Sequence, residues 1–146
     1  MGAITEFQAE CWREAYRDLV PQGYVDRVSV EDREVRWRDR LVSGSRKIAL
    51  AESGNAVVGV VSWGEPNASD APALELMSLY VAAGHRGSGV AAALMDLAIG
   101  AAPAYLWVFE KNPRAQAFYA KHGFLLDGHR RVDIVTGLWE RRFVRR

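Results

Sequence analysis

Apolar side chains recur at helical spacing in the first third of the chain. Residues 4–19 place several of them on one face and end before Pro21, which predicts an amphipathic helix. Residues 29–44 predict a second helix, because Ser29 can cap its start, acidic residues follow in its first turn and Gly44 can end it. The apolar face of the first helix consists of Phe7, Cys11, Ala15 and Leu19.

After these helices the apolar residues form short runs that are typical of strands. Residues 47–66 hold two such runs around a Ser-Gly-Asn turn at 53–55, which predicts a β-hairpin. A third run occupies residues 72–81. The run AYLWVF at 104–109 is so continuously apolar that we expect it to be buried on both faces.

Helical segments separate the later strands. The alanine-rich stretch after the third run predicts a helix that extends to about Ile99. The segment NPRAQAFYAKHG predicts a short helix, since Asn112 can cap it, Pro113 suits its first turn and Gly123 can end it. The remainder of the chain predicts one or two closing strands. This order predicts an α/β protein with a mixed sheet and helices on both faces, in a single domain spanning residues 1–146.

Composition narrows the function classes. The chain has 19 basic and 18 acidic residues, which argues against general nucleic-acid binding. A single cysteine excludes an internal disulfide, and the three histidines lack partners at metal-ligand spacing, so we expect no metal. No apolar run approaches the length of a membrane span and no signal peptide opens the chain, which predicts a cytoplasmic protein without membrane contact. The late arginines predict a solvated tail or a contact with a ligand phosphate; they are Arg130, Arg131, Arg141, Arg142, Arg145 and Arg146.

The stretch HRGSGVAAALM at 85–95 places two glycines at the start of the predicted helix. A helix start leaves backbone N–H groups unpaired, and these residues offer almost no side chain to cover them. Such a turn between a strand and a helix can bind an anion. It has neither the Rossmann spacing nor the P-loop lysine, so by itself it could equally be a simple change of chain direction.

The residues around this turn resemble a known family. Arg86, Gly89 and Ala91 fit the pattern Arg/Gln-x-x-Gly-x-Gly/Ala, directly after SLYV, and LWVFEKNPRAQAFYAKHGF follows about twenty residues later. This succession resembles the GNAT superfamily of acyl-coenzyme-A-dependent N-acetyltransferases. The resemblance implies a mostly antiparallel mixed sheet with a central, splayed pair of parallel strands. The first strand of the family has no counterpart in this sequence.

The resemblance also implies how acetyl-CoA would bind. The backbone N–H groups of the turn would hold its pyrophosphate, and the pantetheine arm would lie along SLYV as an added strand. Asn112 would contact the pantetheine besides capping its helix. The residues expected to bind the cofactor are Leu79, Tyr80, Val81, Arg86, Gly87, Ser88, Gly89, Val90, Ala91, Asn112, Ala115 and Phe118.

Two side chains are candidates for proton transfer. Glu75 is the candidate base, and regular alternation along the strand would place it on one face with Met77, Leu79 and Val81. The alternative is that Glu75 orders the strand or binds substrate. Tyr119 would protonate the sulfur of coenzyme A, as its equivalent does in the family; the alternative is an aromatic ring packed on the sheet with its hydroxyl satisfied. A backbone N–H near Leu79 would stabilise the oxyanion.

The amine acceptor is less defined. Tyr24 and Trp63 fall where the family builds its acceptor pocket, and Glu65 is a second candidate base. The sequence therefore predicts direct transfer of an acetyl group from acetyl-CoA to a primary amine of a small molecule or peptide, by a monomer or homodimer. The alternatives are a non-catalytic acyl-CoA-binding or regulatory module of the same fold, and a nucleotide- or phosphate-binding module.

Overall fold

In the computed structural model the described residues are 46–66, 68, 70–134 and 136–146. They form six strands and two α-helices. The strands are β1 (Lys47–Ser53), β2 (Ala56–Gly64), β3 (Leu74–Val81), β4 (Ala104–Phe109), β5 (Leu125–Val132) and β6 (Trp139–Arg145); the helices are α1 (Val90–Ile99) and α2 (Pro113–Lys121). The helices predicted at 4–19 and 29–44, with Cys11 and Tyr24, lie outside the described residues.

The six strands form one mixed sheet in the order β1-β2-β3-β4-β6-β5. All neighbouring strands are antiparallel except β3 and β4, which are parallel. This parallel pair is joined only at its start, where Leu74 faces Ala104 and Glu75 faces Tyr105. Beyond that point the two strands separate. The prediction of a mostly antiparallel sheet with a splayed parallel pair at its centre is confirmed.

The predicted hairpin is confirmed as β1 and β2. Gly54 in its turn has φ +61°, a left-handed conformation that glycine adopts without steric cost. β1 is an edge strand of the sheet as far as the structure describes it. The proposed absence of the first family strand concerns residues before 46, which are outside that description.

A β-bulge in β3 changes which face its side chains occupy. Ser62 pairs with Ser78 but the next residue of β2, Trp63, pairs with Leu76, so Met77 is the extra residue. A bulge breaks the regular alternation of side chains. Leu79 therefore shares a face with Leu76, and Glu75 lies on the opposite face of the sheet. The prediction that Glu75, Leu79 and Val81 share one face is wrong, because alternation alone cannot anticipate a bulge.

Both described helices pack on the face that carries Leu76. This core joins residues of β2, β3, β4 and β6 to α1, and side chains of α2 pack against it; its fully buried members include Val61, Leu106 and Phe124. α1 lies so close to β2 that a Cβ on Gly59 would be 2.8 Å from Leu94 Cδ1. The absence of a side chain at Gly59 thus leaves room for Leu94 of α1 to approach β2 closely.

The arginine-rich end of the chain is ordered by ion pairs. Arg142 is 3% exposed and its guanidinium lies 2.6 Å from Asp127 and 3.0 Å from Asp70. Arg145 donates hydrogen bonds to the carbonyls of Gly100 and Ala102, so it holds the end of α1. The other three pair with Glu110 or Glu140; they are Arg130, Arg131 and Arg141.

The prediction of an arginine tail is therefore wrong for these five residues, although the side chains of Arg130, Arg131 and Arg141 are solvated, with 45%, 51% and 42% of their surface exposed. They lie within β5 and β6, where each guanidinium has a carboxylate or carbonyl partner. None of the helices among the described residues is long and apolar enough to cross a membrane.

Candidate active site

The elements that carry the candidate residues meet at one end of the sheet. β3 runs from its paired start at Leu74 to Val81 and leads through the glycine turn into α1. β4 runs in parallel and leads into α2. Because the two strands separate after Glu75 and Tyr105, a gap opens toward their carboxyl ends, and both helices begin at that end. Ligands of α/β sheets commonly bind at such a place.

The glycine turn exposes a set of backbone N–H groups. Gly87 and Gly89 have φ +79° and +92°, conformations that side-chain-bearing residues rarely adopt. The first intrahelical hydrogen bond of α1 runs from the Ala93 N–H to the Gly89 carbonyl, at 3.0 Å, and no side chain caps the helix. Between Gly87 and Ala92, five N–H groups have no backbone acceptor among the described residues: those of Gly87, Gly89, Val90, Ala91 and Ala92.

The remaining two N–H groups of the predicted anion site are used within the turn itself. The Arg86 N–H donates to the Ala83 carbonyl and the Ser88 N–H to the His85 carbonyl, both at 3.3 Å. The Ser88 hydroxyl donates to the same His85 carbonyl. These bonds shape the turn, so the N–H groups available to an anion are those of Gly87, Gly89 and the first helical residues.

The second half of β3 presents an open strand edge inside the sheet. On one side Val81 and Leu79 pair with Gly59 and Val61 of β2. On the other side the register with β4 ends at Glu75, which leaves the backbone of the later residues without a strand partner in the described sheet. An extended ligand can add to such an edge as a strand.

α2 is fixed to the end of β4 by its first residues. The Asn112 side chain accepts a hydrogen bond from the Ala115 N–H at 3.2 Å, which confirms the predicted cap. The Gln116 amide donates to the carbonyls of Phe109 and Glu110, at 3.1 and 2.8 Å. These bonds determine where the following turns of α2 lie relative to the gap.

Tyr119 lies on the helix-covered face of the sheet. Its ring packs against the core and makes edge contacts with Phe118 and Phe124, at centroid distances of 5.3 and 6.0 Å. Burial raises the pKa of the Tyr119 hydroxyl above its usual value, and the Tyr80 phenol adds to this effect. No hydrogen bond among the described residues involves this hydroxyl, and its raised pKa keeps it protonated at neutral pH.

Glu75 lies on the opposite face, at the last residue pair before the gap. The Tyr105 hydroxyl donates a hydrogen bond to Glu75 Oε2 at 3.3 Å. Burial raises the pKa of the Glu75 carboxyl, against the opposing effects of Arg131 and of the Tyr105 hydrogen bond. A carboxylate with a raised pKa is a better base than an exposed one at the same pH.

The geometry accords with what the sequence comparisons find. The sequence model described as the Acetyltransferase (GNAT) family matches residues 5–124. The chain belongs to this family.

The relatives of this GNAT chain are N-acetyltransferases. An uncharacterised N-acetyltransferase of Mycobacterium bovis is 33% identical over 118 residues, which cover 77% of this chain and 74% of the relative. Among solved structures, the PaiA N-acetyltransferase of Thermoplasma acidophilum in complex with coenzyme A covers 96% of this chain and 89% of its own, with TM-score 0.72 and 17% identity. The ribosomal-protein-alanine N-acetyltransferase of Brucella melitensis covers 99% and 95%, with TM-score 0.70 and 21% identity. The protein is an N-acetyltransferase of the GNAT family.

The residues predicted to line the acceptor pocket do not form a cluster in the part of the chain that the structure describes. Trp63 packs against the core on the helix-covered face, so it does not share a face with Glu75. Glu65 is exposed just beyond the end of β2, and Tyr24 is outside the described residues. The roles predicted for these residues stay predictions.

Sequence reasoning missed the residues that surround Glu75 in this GNAT fold. The Arg131 guanidinium pairs with Glu140 at 2.9 Å and stacks on the Trp107 ring at 4.2 Å. Burial raises the pKa of Glu140 as well. Tyr105 lies within the continuous apolar run AYLWVF and therefore does not stand out as a polar residue. The hydroxyl of a buried tyrosine usually has a hydrogen-bond partner, which here is Glu75. That requirement was the one indication in the sequence that Tyr105 has a polar neighbour.

Proposed function

We propose that this N-acetyltransferase transfers an acetyl group from acetyl-CoA directly to a primary amine of a small molecule or peptide. The observation that carries the proposal is the coincidence of two features at one end of the sheet. The gap between β3 and β4 begins after Glu75, and the free N–H groups at the start of α1 lie at the end of the same strand. A ligand with an anionic head and an extended amide-containing arm fits both features.

The chain offers a distinct contact for each part of such a ligand. The pyrophosphate of acetyl-CoA would accept hydrogen bonds from the N–H groups of Gly87, Gly89, Val90 and Ala91. The pantetheine arm would extend along β3 beside Leu79, Tyr80 and Val81, where β4 has separated. Asn112 at the cap of α2, with Ala115 and Phe118 within that helix, would contact the ligand from the other side of the gap.

Glu75 and Tyr119 are the proposed base and acid. Acetyl-CoA supplies the acetyl group as a thioester when it is bound. Glu75 would accept a proton from the acceptor ammonium, so that the amine nitrogen can form a bond to the acetyl carbon as the carbon–sulfur bond breaks. A backbone N–H near Leu79 would stabilise the negative carbonyl oxygen, and Tyr119 would donate its proton to the departing sulfur. The new amide nitrogen would lose its second proton to solvent, from which the Tyr119 phenolate would be reprotonated.

Direct transfer is favoured by the positions of these two residues on the sheet. Glu75 lies on the face opposite the two described helices, while Tyr119 packs on the face that these two helices cover. The gap lies between the strands that separate those faces. An amine could thus approach from one side while the thiolate is protonated from the other, which requires no covalent enzyme intermediate.

Binding of the cofactor is the first experiment. Acetyl-CoA, coenzyme A and ATP would each be titrated into the purified protein in a calorimeter. We expect both coenzyme forms to bind and ATP to bind at least tenfold more weakly, because ATP has no arm to pair with β3. Equal affinity for all three ligands, or no binding at all, would contradict the proposed cofactor site.

The acceptor would then be sought by thiol release. The panel would contain a polyamine, amino acid amides, an aminoglycoside antibiotic and a peptide with an N-terminal alanine, the last because of the Brucella structural neighbour. Release of coenzyme A that depends on one of these amines, with a matching mass increase of the amine, would support transfer. Cofactor binding without transfer to any amine would favour the non-catalytic module instead.

A further inference from the structure

Tyr105 is a buried residue that the proposed mechanism does not use. It is 3% exposed and faces Glu75 in the last pair of the parallel strands before the gap. Its side chain lies on the same face as that of Glu75, and its hydroxyl donates to Glu75 Oε2 at 3.3 Å. Tyr105 is therefore the hydrogen-bond donor that the described residues provide to this carboxylate, and none of them donates to Oε1.

The other charged groups near Glu75 act on it through space. They come from three elements: Arg131 from β5, Glu140 from β6 and Arg46 from the residue before β1. Arg131 is committed to Glu140, with which it forms an ion pair at 2.9 Å, and it stacks on Trp107. These charges shift the ionisation of Glu75, but among the described residues it is Tyr105 that holds an oxygen atom of Glu75 by a hydrogen bond.

We infer that Tyr105 is a positioning residue for the general base: its hydroxyl holds one oxygen of Glu75 at the mouth of the gap and leaves the other to take the proton of the acceptor. The inference rests on the proposed function, since it assigns a partner to the proposed base. The tyrosine does not itself touch the reacting atoms. It acts by restricting the carboxylate and by favouring its charged form.

The direction of the electrostatic effect follows from the hydrogen bond. Burial and the nearby Glu75 carboxylate raise the pKa of Tyr105 to about 12, so its hydroxyl remains a donor throughout the range in which Glu75 titrates. A hydrogen bond donated to the carboxylate lowers the pKa of Glu75 and opposes the effect of burial. Removal of the hydroxyl should therefore raise that pKa further.

The variant Tyr105→Phe isolates the hydroxyl. It keeps the aromatic ring, including the contact with the Arg142 guanidinium at 5.9 Å from its centroid. The side-chain carboxyl of Glu75 would be followed by carbon-13 NMR during a pH titration, with its resonance assigned from Glu75→Gln. We expect the titration midpoint to rise by about half to one pH unit. An unchanged midpoint would overturn the inference, whether or not an acceptor amine has been found.

Tyr119→Phe is the matched control for this measurement. It removes the hydroxyl of another buried tyrosine beside the gap, but from the opposite face of the sheet. The midpoint of Glu75 should stay within the error of the wild-type value. A shift of equal size in both variants would mean that any lost hydroxyl perturbs the gap, and it would overturn a specific role for Tyr105.

Kinetics separates this inference from the proposed function. In Tyr105→Phe the acid limb of kcat/KM should move to higher pH by the same amount as the NMR midpoint. In a Glu75→Gln background the Tyr105→Phe change should have no further effect, because a positioning residue acts only through its partner. If Glu75→Gln loses turnover but the acid limb of kcat/KM in Tyr105→Phe stays at its wild-type pH, the Tyr105 inference alone is overturned. Full turnover by Glu75→Gln would overturn both it and the proposed base.

Discussion

Tyr119 and Glu75 show how burial prepares two side chains for opposite tasks. Burial raises the pKa of both, because it disfavours the charged form of any acid. For the Tyr119 phenol this guarantees a proton to donate at neutral pH. For the Glu75 carboxyl it increases the affinity for a proton, which improves a base as long as the group is still ionised when the amine arrives.

The variant Tyr119→Phe should lower turnover while it leaves cofactor affinity nearly unchanged. It removes the proton donor but retains the ring that packs against Phe118 and Phe124. Loss of a general acid typically costs about 10²–10⁴ in rate. Steady-state kinetics and calorimetry with acetyl-CoA would measure the two effects separately. Full activity of the variant would leave Tyr119 with a packing role only.

The variant Glu75→Gln should flatten the acid limb of the pH–rate profile. In the wild type kcat/KM should rise with pH as the carboxyl of Glu75 loses its proton, and glutamine cannot titrate. The rise of kcat/KM should begin at a pH above the ordinary pKa range of glutamate, because burial raises the pKa of Glu75. An unaltered profile would assign the proton transfer to Glu65 or to water.

Thermal unfolding distinguishes this catalytic loss from a folding defect. The folded state raises the pKa of Glu75, so the protonated form contributes stability below the unfolded pKa, and that contribution is lost as pH rises through the folded value. At pH 8 the charged carboxylate therefore costs stability. Glu75→Gln should be at least as stable as the wild type there, and a lower Tm would attribute its kinetic loss to misfolding.

At the scale of single elements, the turn between β3 and α1 depends on backbone geometry more than on side chains. Its positive φ angles at Gly87 and Gly89 direct the N–H groups of the helix start away from intramolecular acceptors. Aligned peptide dipoles add a partial positive charge at the same place. A charged or bulky residue in the turn should therefore damage anion binding before it damages the fold.

The variant Gly89→Glu should reduce affinity for coenzyme A by at least tenfold, since it places negative charge where the pyrophosphate would bind. Gly128→Glu is a matched control: Gly89 and Gly128 have φ +92° and +91°, and both face open space, but Gly128 lies on the edge strand β5. Both variants place a side chain at a similar positive φ, and calorimetry should show a large loss only for Gly89→Glu. An equal loss of coenzyme A affinity in both variants would contradict a role of the turn in cofactor binding.

The helices and strands could be predicted from the sequence because their determinants are local. The cap at Asn112, the proline after it and the glycine turn all lie within a few residues of the features they determine. The position of Glu75 could not be predicted in the same way. Its face depends on the bulge at Met77, and that bulge exists only in the register with β2.

At the scale of the whole molecule, the last hairpin is tied to the rest of the sheet by buried charge. Arg142 lies between Asp127 of its neighbouring strand and Asp70 of the segment before β3. The backbone N–H of His129 and the Arg142 side chain lower the pKa of Asp127, although burial opposes them. A charge buried at this position requires its partner.

The variant Arg142→Met should lower the free energy of unfolding by roughly 3 kcal/mol at pH 7, because the largely buried Asp127 carboxylate loses its guanidinium partner and keeps only its contacts with His129. The folded state lowers the pKa of Asp127 in the wild type, so the stability from this pair is present above the unfolded pKa and is lost as pH falls through the folded value. The difference between variant and wild type should therefore shrink on acidification.

Urea unfolding at several pH values would measure this difference. Arg130→Met is the control, since its guanidinium pairs with Glu110 but its side chain is 45% exposed, and such surface pairs contribute little to stability. Equal destabilisation by the two variants, or an effect of Arg142→Met that does not vary with pH, would contradict a buried ion pair as the cause.

The sequence by itself determined the order of the elements, the glycine turn, the cap of α2 and the family, because each is encoded by neighbouring residues. The tertiary structure alone decided which face carries Glu75, that Tyr105 is its hydrogen-bond donor, and that five late arginines serve the fold. These outcomes join residues from different strands. Strand register and burial set them, and both arise only when the whole sheet is assembled.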